Sequence, residues 1–284
     1  MFGTRSDGRK ITTIDPIFKL VPHIMTRRSD AQIFYKERIF TDVLDEYIRA
    51  HREDCPGLNY MSIVIAALVR LLAQRPYLNR FVMNGRLFAR RGIVVSFVIK
   101  KALRDNVVES NIKLTFNGTE SLQQINHTVT EAIMNCKTEA TENQTDRLAN
   151  FFMSFPNVLI QIMVAIIKYL DKIGLLPRAI ISASPFHTSF YVTNIKSLKL
   201  NYLYHHIYDF GTTSLFFAIG NSEKTVVFDH EGAHHRKSIT LGCTIDERIC
   251  DGLYLANSLT LLKRMLRNPT LLETPLEAIV EDLK

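Results

Sequence analysis

A chain of 284 residues can bury a full core as one large domain or two small ones, and 46% hydrophobic with 22% charged residues is ordinary for a folded protein. The net charge of +7 suits an anionic partner, yet the densest basic run, Arg86-Leu-Phe-Ala-Arg90-Arg91, holds only three arginines. Without an aromatic-interleaved basic stripe or a zinc pattern, the sequence points away from nucleic acid, while a small phosphorylated ligand remains a fit to the charge.

The N-terminus, MFGTRSDGRK, is polar and basic with no apolar h-region, which argues against secretion and for a cytoplasmic protein. The four cysteines (Cys55, Cys136, Cys243 and Cys250) have no metal-type spacing and read as reduced thiols. Residues 1–25 read as an arm leading into one domain over 26–284.

QIFYKERIF (32–40) places Ile33, Tyr35, Glu37 and Ile39 on one face at period two, a strand with an acid intruding on its apolar side. Thr41 is placed to cap the following helix, with Leu44 and Ile48 facing inward. MSIVIAALVRLLAQRP is a stronger helix, with a wide apolar stripe through Ile63, Ala67, Leu71 and Val64, Leu68, Leu72, stopped by Pro76. GIVVSFVIKK is a β-branched run of the kind buried in a sheet, and VVESNIKLTF alternates less cleanly. Leu122, Ile125, Val129 and Ile133 mark another helix.

From Phe151 to Ile167 the chain carries no charge over 17 residues, just short of the roughly 20 a membrane span needs, and Pro156 interrupts it. The expectation is a segment buried in the domain or walling a greasy ligand, in preference to shallow membrane contact. The second half then reads as successive strands: TSFYVTNI, TSLFFAIG, KTVVFD and HRKSITLGCTID, with DHEG (229–232) as a turn. Leu255, Leu259, Leu262 and Leu266 stripe the last long helix, ended by Asn268-Pro269. No repeat or low-complexity linker appears, and the pattern predicts one α/β domain with a large mixed sheet.

The order of these elements, the FVMNGRLF turn, the late strands and TIDERICDG before a leucine-striped helix resemble two related groups over roughly residues 30–270. These are the catalytic domain of the 2-oxoacid dehydrogenase acyltransferases and the chloramphenicol acetyltransferases. The resemblance implies a two-layer fold, a mixed sheet with helices over one face, assembled as a homotrimer with the site between subunits. It makes residues 151–170 an apolar insertion and the chain a free-standing catalytic-type domain. It also implies acyl transfer with coenzyme A or an acyl-CoA as substrate, a small-molecule acceptor and no metal.

The family signature is a His, three residues, then Asp-Gly. There the His deprotonates a thiol or hydroxyl that attacks a thioester carbonyl, a Ser or Thr hydroxyl holds the oxyanion, and the Asp supports the turn. Carried over, Thr193 matches the oxyanion hydroxyl and Asp251 and Gly252 match the Asp-Gly, but Glu247 stands where the family has His. The resemblance pairs Asp251 with an arginine from the N-terminal part, Arg27 or Arg28; turn capping is its plainer reading.

Glu247 admits three readings: a substitute base, a structural acid in an enzyme that uses another base, or the relic of lost chemistry in a binding or scaffold protein. A carboxylate near 4.3 taking a proton from a thiol near 8.5 faces a gap of about four units, roughly 5–6 kcal/mol, unless burial raises it. His205 and His206, in the segment that lines the family's channel, are the alternative bases. His230, His234 and His235 read as a solvated hairpin, since alternate strand residues face opposite ways, and His187 reads as packing.

Overall fold

The computed structural model describes residues 5–100, 109–138, 150–230 and 232–284. In chain order the elements are β1 (Gly8–Lys10), α1 (Pro16–Ile24), β2 (Gln32–Phe40), α2 (Asp42–Ala50), α3 (Tyr60–Gln74), β3 (Arg80–Met83), β4 (Arg86–Arg90) and β5 (Ile93–Lys100). There follow β6 (Glu109–Phe116), α4 (Leu122–Thr138), α5 (Asn157–Ile173), α6 (Arg178–Ala183), β7 (Phe190–Asn194), β8 (Leu215–Ile219), β9 (Glu223–Asp229), β10 (Gly232–Asp246) and α7 (Gly252–Arg267).

The main sheet runs β2-β10-β8-β7-β5-β6, with β9 on the first half of β10. β7 lies parallel to β5 and β8, and the other pairs are antiparallel, so the sheet is mixed. Alternation sorts its side chains. Ile239, Leu241, Cys243 and Ile245 of β10, with Leu215, Phe217 and Ile219 of β8, enter the core under the helices. Thr240, Gly242, Thr244, Ala218 and Thr193 therefore belong to the opposite face.

β2 spans the residues its alternation predicts, and the intruding acid is satisfied: Glu37 accepts the Tyr35 hydroxyl and pairs with Lys263 Nζ on α7 at 2.6 Å. Thr41 occupies the N-cap of α2 but makes no side-chain bond to the helix backbone. Its hydroxyl lies instead 3.3 Å from Asp45 and 3.4 Å from the Lys237 carbonyl, because the neighbouring strand offers an acceptor.

α3 exceeds the stripe expected of it. All but its last residue is buried, since the helix sits between the sheet, α4 and α7. Each buried aliphatic side chain on it contributes roughly 1.5–3 kcal/mol relative to exposure. The charged residue among those buried is Arg70, which donates to the carbonyls of Leu271 at 3.1 Å, Thr274 at 2.7 Å and Glu120 at 3.4 Å. Asn59 starts the helix by accepting from the amides of Met61 and Ser62.

β1, β3 and β4 make a second, small antiparallel sheet. Asn84 and Gly85 join β3 to β4 with φ of 51° and 68°, the two left-handed residues of a type I′ hairpin.

The uncharged stretch departs from expectation. Residues 151–167 are not buried: Val158 is 70% exposed, Ile162 51% and Ile166 52%. Only Asp171 of α5 is buried, so the segment is tethered by one polar residue near its C-terminus and projects from the domain. The sequence did not reveal this because an uncharged helix fits a core and a protrusion equally well. Among the described residues no helix is long and apolar enough to cross a membrane.

Candidate functional site

The motif turn is built by two acids that flank it. β10 ends at Asp246, whose side chain accepts from the amide of Arg248 at 3.2 Å and so opens the short 3₁₀ turn Glu247–Ile249. Asp251 accepts from the amide of Tyr254 at 2.7 Å and caps α7. Between them Glu247 is exposed, and its carboxylate has no hydrogen-bond or ion-pair partner among the described residues.

Among the described residues Asp251 has no arginine partner, and Arg28 pairs with Asp246 instead. Asp251 is exposed and serves as a cap, and Arg27 is exposed beside a cleft. Arg28 is 4% exposed and its partner is Asp246, at 3.4 Å. It also donates to the carbonyls of Tyr208 at 2.7 Å and Gly211 at 3.1 Å. Arg248 grips the same carboxylate in bidentate fashion, at 2.7 Å to each oxygen, and donates to the Met25 carbonyl at 3.0 Å. Burial pushes the Arg28 guanidinium down, and Asp246 opposes that shift. The fully buried Asp246 thus locks the N-terminal part, the 208–211 loop and the motif turn together.

Asp246 escaped the sequence reading because the family signature draws the eye to Glu247 and Asp251. One signal was there: strand alternation puts Asp246 on the face opposite the core, and a carboxylate at a covered strand end needs cations. Gly252 has open space where a Cβ would stand, so nothing among the described residues requires glycine there.

Thr193 lies elsewhere. It sits opposite Ala218 on β8, which in turn sits opposite Gly242 on β10. Glu247 follows Asp246, the last residue of β10, which is four residues past Gly242, so it lies about 13 Å along the strand and, two strands over from Thr193, about 10 Å across it, at roughly 3.3 Å per residue and 4.8 Å per strand. The Thr193 hydroxyl is half-buried and makes no hydrogen bond among the described residues. Within one chain, therefore, the hydroxyl and the carboxylate do not meet.

Thr193 does share its face with His205. Residues 201–208 cross this face as an extended strap. A Cβ on Gly220 would stand 1.5 Å from the Asn201 carbonyl oxygen, and one on Gly242 2.1 Å from that of Leu203. Both glycines are needed for this close backbone approach. The His205 ring stacks on Phe216 at 4.3 Å, and Phe216 stacks on Tyr191 at 4.8 Å. Its Nε2 is buried without a hydrogen-bond partner, and burial, then His206, push its pKa down. His206 is exposed, edge-on to Tyr208.

The other histidines fall into place. His187 is 1% exposed, with Nδ1 2.8 Å from the Ser184 hydroxyl and Nε2 3.2 Å from Asp171 Oδ2. His230, His234 and His235 are exposed on or beside the β9–β10 hairpin, and His234 pairs with Asp229 at 3.3 Å. No three His, Cys, Asp or Glu among the described residues are grouped to hold a metal.

Two clefts flank these elements. One, of about 520 Å³, adjoins the motif turn and is lined by His23, Arg27, Asn84, Lys168, Lys172 and Arg248. The other, of about 460 Å³, presents Arg90, Arg91, Lys113 and Arg178 around Asp7. Lys113 donates to the carbonyls of Ile181 and Ser184 at 2.6 and 2.9 Å, and burial brings its pKa down to about 7. Either set of cations suits a phosphate or carboxylate group.

No family model and no curated protein sequence matches the chain. Solved structures do, at low identity. The cubic core of a pyruvate dehydrogenase multienzyme complex aligns at 13% identity and a TM-score of 0.58, over 90% of this chain and 88% of that one. A probable dihydrolipoamide acetyltransferase from Listeria monocytogenes aligns at 17% and 0.56, over 91% and 94%. A chloramphenicol acetyltransferase aligns at 11% and 0.54, over 91% and 99%. The chain has the chloramphenicol acetyltransferase-like fold, and these likenesses carry that conclusion alone.

Proposed function

We propose that the chain is an acyltransferase of the kind its fold neighbours represent, moving an acyl group between coenzyme A, or a thioester carrier, and an acceptor. The observation that carries the proposal is a pair of unengaged groups. The Glu247 carboxylate stands free on a turn braced by three buried ionic residues, and the Thr193 hydroxyl stands free two strands away and about 13 Å back along the strand direction. Neither serves the other within a chain, so a complete site takes Glu247 from one copy and Thr193 from the next, in a homotrimer.

In that site a Glu247 oxygen takes the proton of an acceptor thiol or hydroxyl. The freed lone pair forms a bond to the thioester carbonyl carbon, and Thr193 Oγ1 donates to the oxyanion. Collapse breaks the carbon–sulfur bond, and the departing thiolate recovers the proton from Glu247.

A second reading places the base at His205. Its ring is positioned by stacking, its Nε2 is free, and its lowered pKa keeps it neutral and able to accept a proton near neutrality.

Thiol release from several acyl-CoAs, with and without small acceptors, tests the assignment. Wild type is expected to be slow near neutral pH and Glu247→His about tenfold faster, since an imidazole near 6.5 lies about two units closer to a thiol than an ordinary carboxylate. A fast wild type slowed by Glu247→His overturns the mismatched-base account. Loss of turnover in His205→Ala with activity kept in Glu247→Gln transfers the role to His205. Binding of coenzyme A with no turnover in any variant leaves a binding or scaffold protein.

Assembly is tested separately by light scattering, where the expected mass is that of a trimer. A stable monomer at micromolar concentration sinks the shared site.

A further inference from the structure

We propose that α1 and α5 form a single surface that docks on an anionic lipid bilayer, with both helices lying in the plane of the interface. The exposed residues of α5 are sorted by helical position. At 100° per residue Val158, Leu159, Ile162, Ile166 and Tyr169 fall within an arc roughly 100° wide, and all five are exposed. Ile160, Met163, Ile167 and Leu170 fall on the neighbouring arc and are half-buried. The remaining arc carries Asn157, Gln161, Lys168 and Lys172, all exposed. An apolar stripe bordered by lysines is the pattern of a helix seated at the boundary between headgroups and acyl chains.

α1 repeats the pattern in short form. Ile17, Leu20 and Ile24, at 56%, 51% and 68% exposure, recur three and four residues apart, with Lys19 beside them. The two helices share a cleft, Pro22 and His23 contributed by one and Lys168 and Lys172 by the other. α5 is anchored near its C-terminus, where Asp171 is held by Arg5 at 2.8 Å and lies 3.2 Å from His187.

Charge selects the occupant. The single acid of α5, Asp171, is buried and paired, while Lys168, Lys172 and Arg27 are exposed around the shared cleft and Lys19 is exposed on α1; the other acid of the cleft, Asp209, accepts from the Ser29 amide and hydroxyl. On α1 and its cap the one acid is Asp15, already engaged with the Ile17 amide. A second copy brought face to face would set lysine against lysine, whereas anionic headgroups complement them. At 17 residues and about 25 Å, α5 is too short to cross the bilayer, which is why it lies along the surface.

The test is liposome flotation of the full chain, with phosphatidylcholine vesicles and with phosphatidylcholine–phosphatidylserine vesicles. Wild type is expected to float with the second and remain in the bottom fraction with the first, and high salt should release it. Ile162→Ser with Ile166→Ser should lower the floated fraction about tenfold, and Lys168→Glu with Lys172→Glu should do the same. Both pairs are solvent-exposed, so the melting temperature should hold. Wild type staying in the bottom fraction with every vesicle overturns the proposal. So does a serine pair that changes the mass seen by light scattering, because the stripe is then a contact between copies. The outcome is independent of acyl-transfer activity.

Discussion

Asp246→Ala is expected to destabilise the protein by about 3–5 kcal/mol, the range for removing one partner of a buried ionic cluster. The carboxylate is fully buried, and the side chains it serves, Arg28 and Arg248, are 3% and 2% exposed. Its removal leaves two guanidiniums without their counter-ion and withdraws the acceptor that opens the motif turn. Asp246→Asn should cost less, since the amide oxygen still accepts one bond. Urea titration by circular dichroism reads both variants, with wild-type slope as the check on a common unfolded state. A loss below about 1 kcal/mol for Asp246→Ala would falsify the lock.

Thr193→Ala is expected to lower thiol release about 10²-fold at unchanged stability, the magnitude for losing one oxyanion donor. The hydroxyl makes no bond within the described chain, so its removal leaves no partner unsatisfied and should move the melting temperature little. Thr193→Ser keeps the donor and should recover most of the rate. Activity unaffected by Thr193→Ala, with a working wild type, removes this residue from the chemistry. A fall in stability matching the fall in rate would make it structural.

Much of the fold is legible along the chain because its elements are locally consistent. The period-two pattern of 32–40, the β-branched run of β5, the Asn84-Gly85 turn and the leucines of α7 each select one local structure before any contact is considered. The uncharged stretch illustrates the opposite case. Its composition fixes a helix but not its surroundings, and only the tether at Asp171 decides that it projects.

The site was half legible. Glu247, Asp251 and Thr193 stand out through family spacing, and the capping role of Asp251 follows from Asp before a helix. The role of Asp246 depends on Arg28, 218 residues earlier in the sequence. No local pattern announces a pairing at that separation.

The order of the strands also bears on how the protein is made. Among the described residues β2 has one neighbour in the sheet, β10, and Ile39 pairs with Ile239, 200 residues later. At roughly 5–20 residues per second of synthesis, β2 leaves the ribosome about 10–40 s before its partner exists. During that interval the backbone groups of β2 that will pair with β10 stand open, the kind of edge that invites pairing with a foreign strand. The same strand carries Lys36, Glu37 and Arg38 at its centre, charges that discourage such pairing while translation catches up.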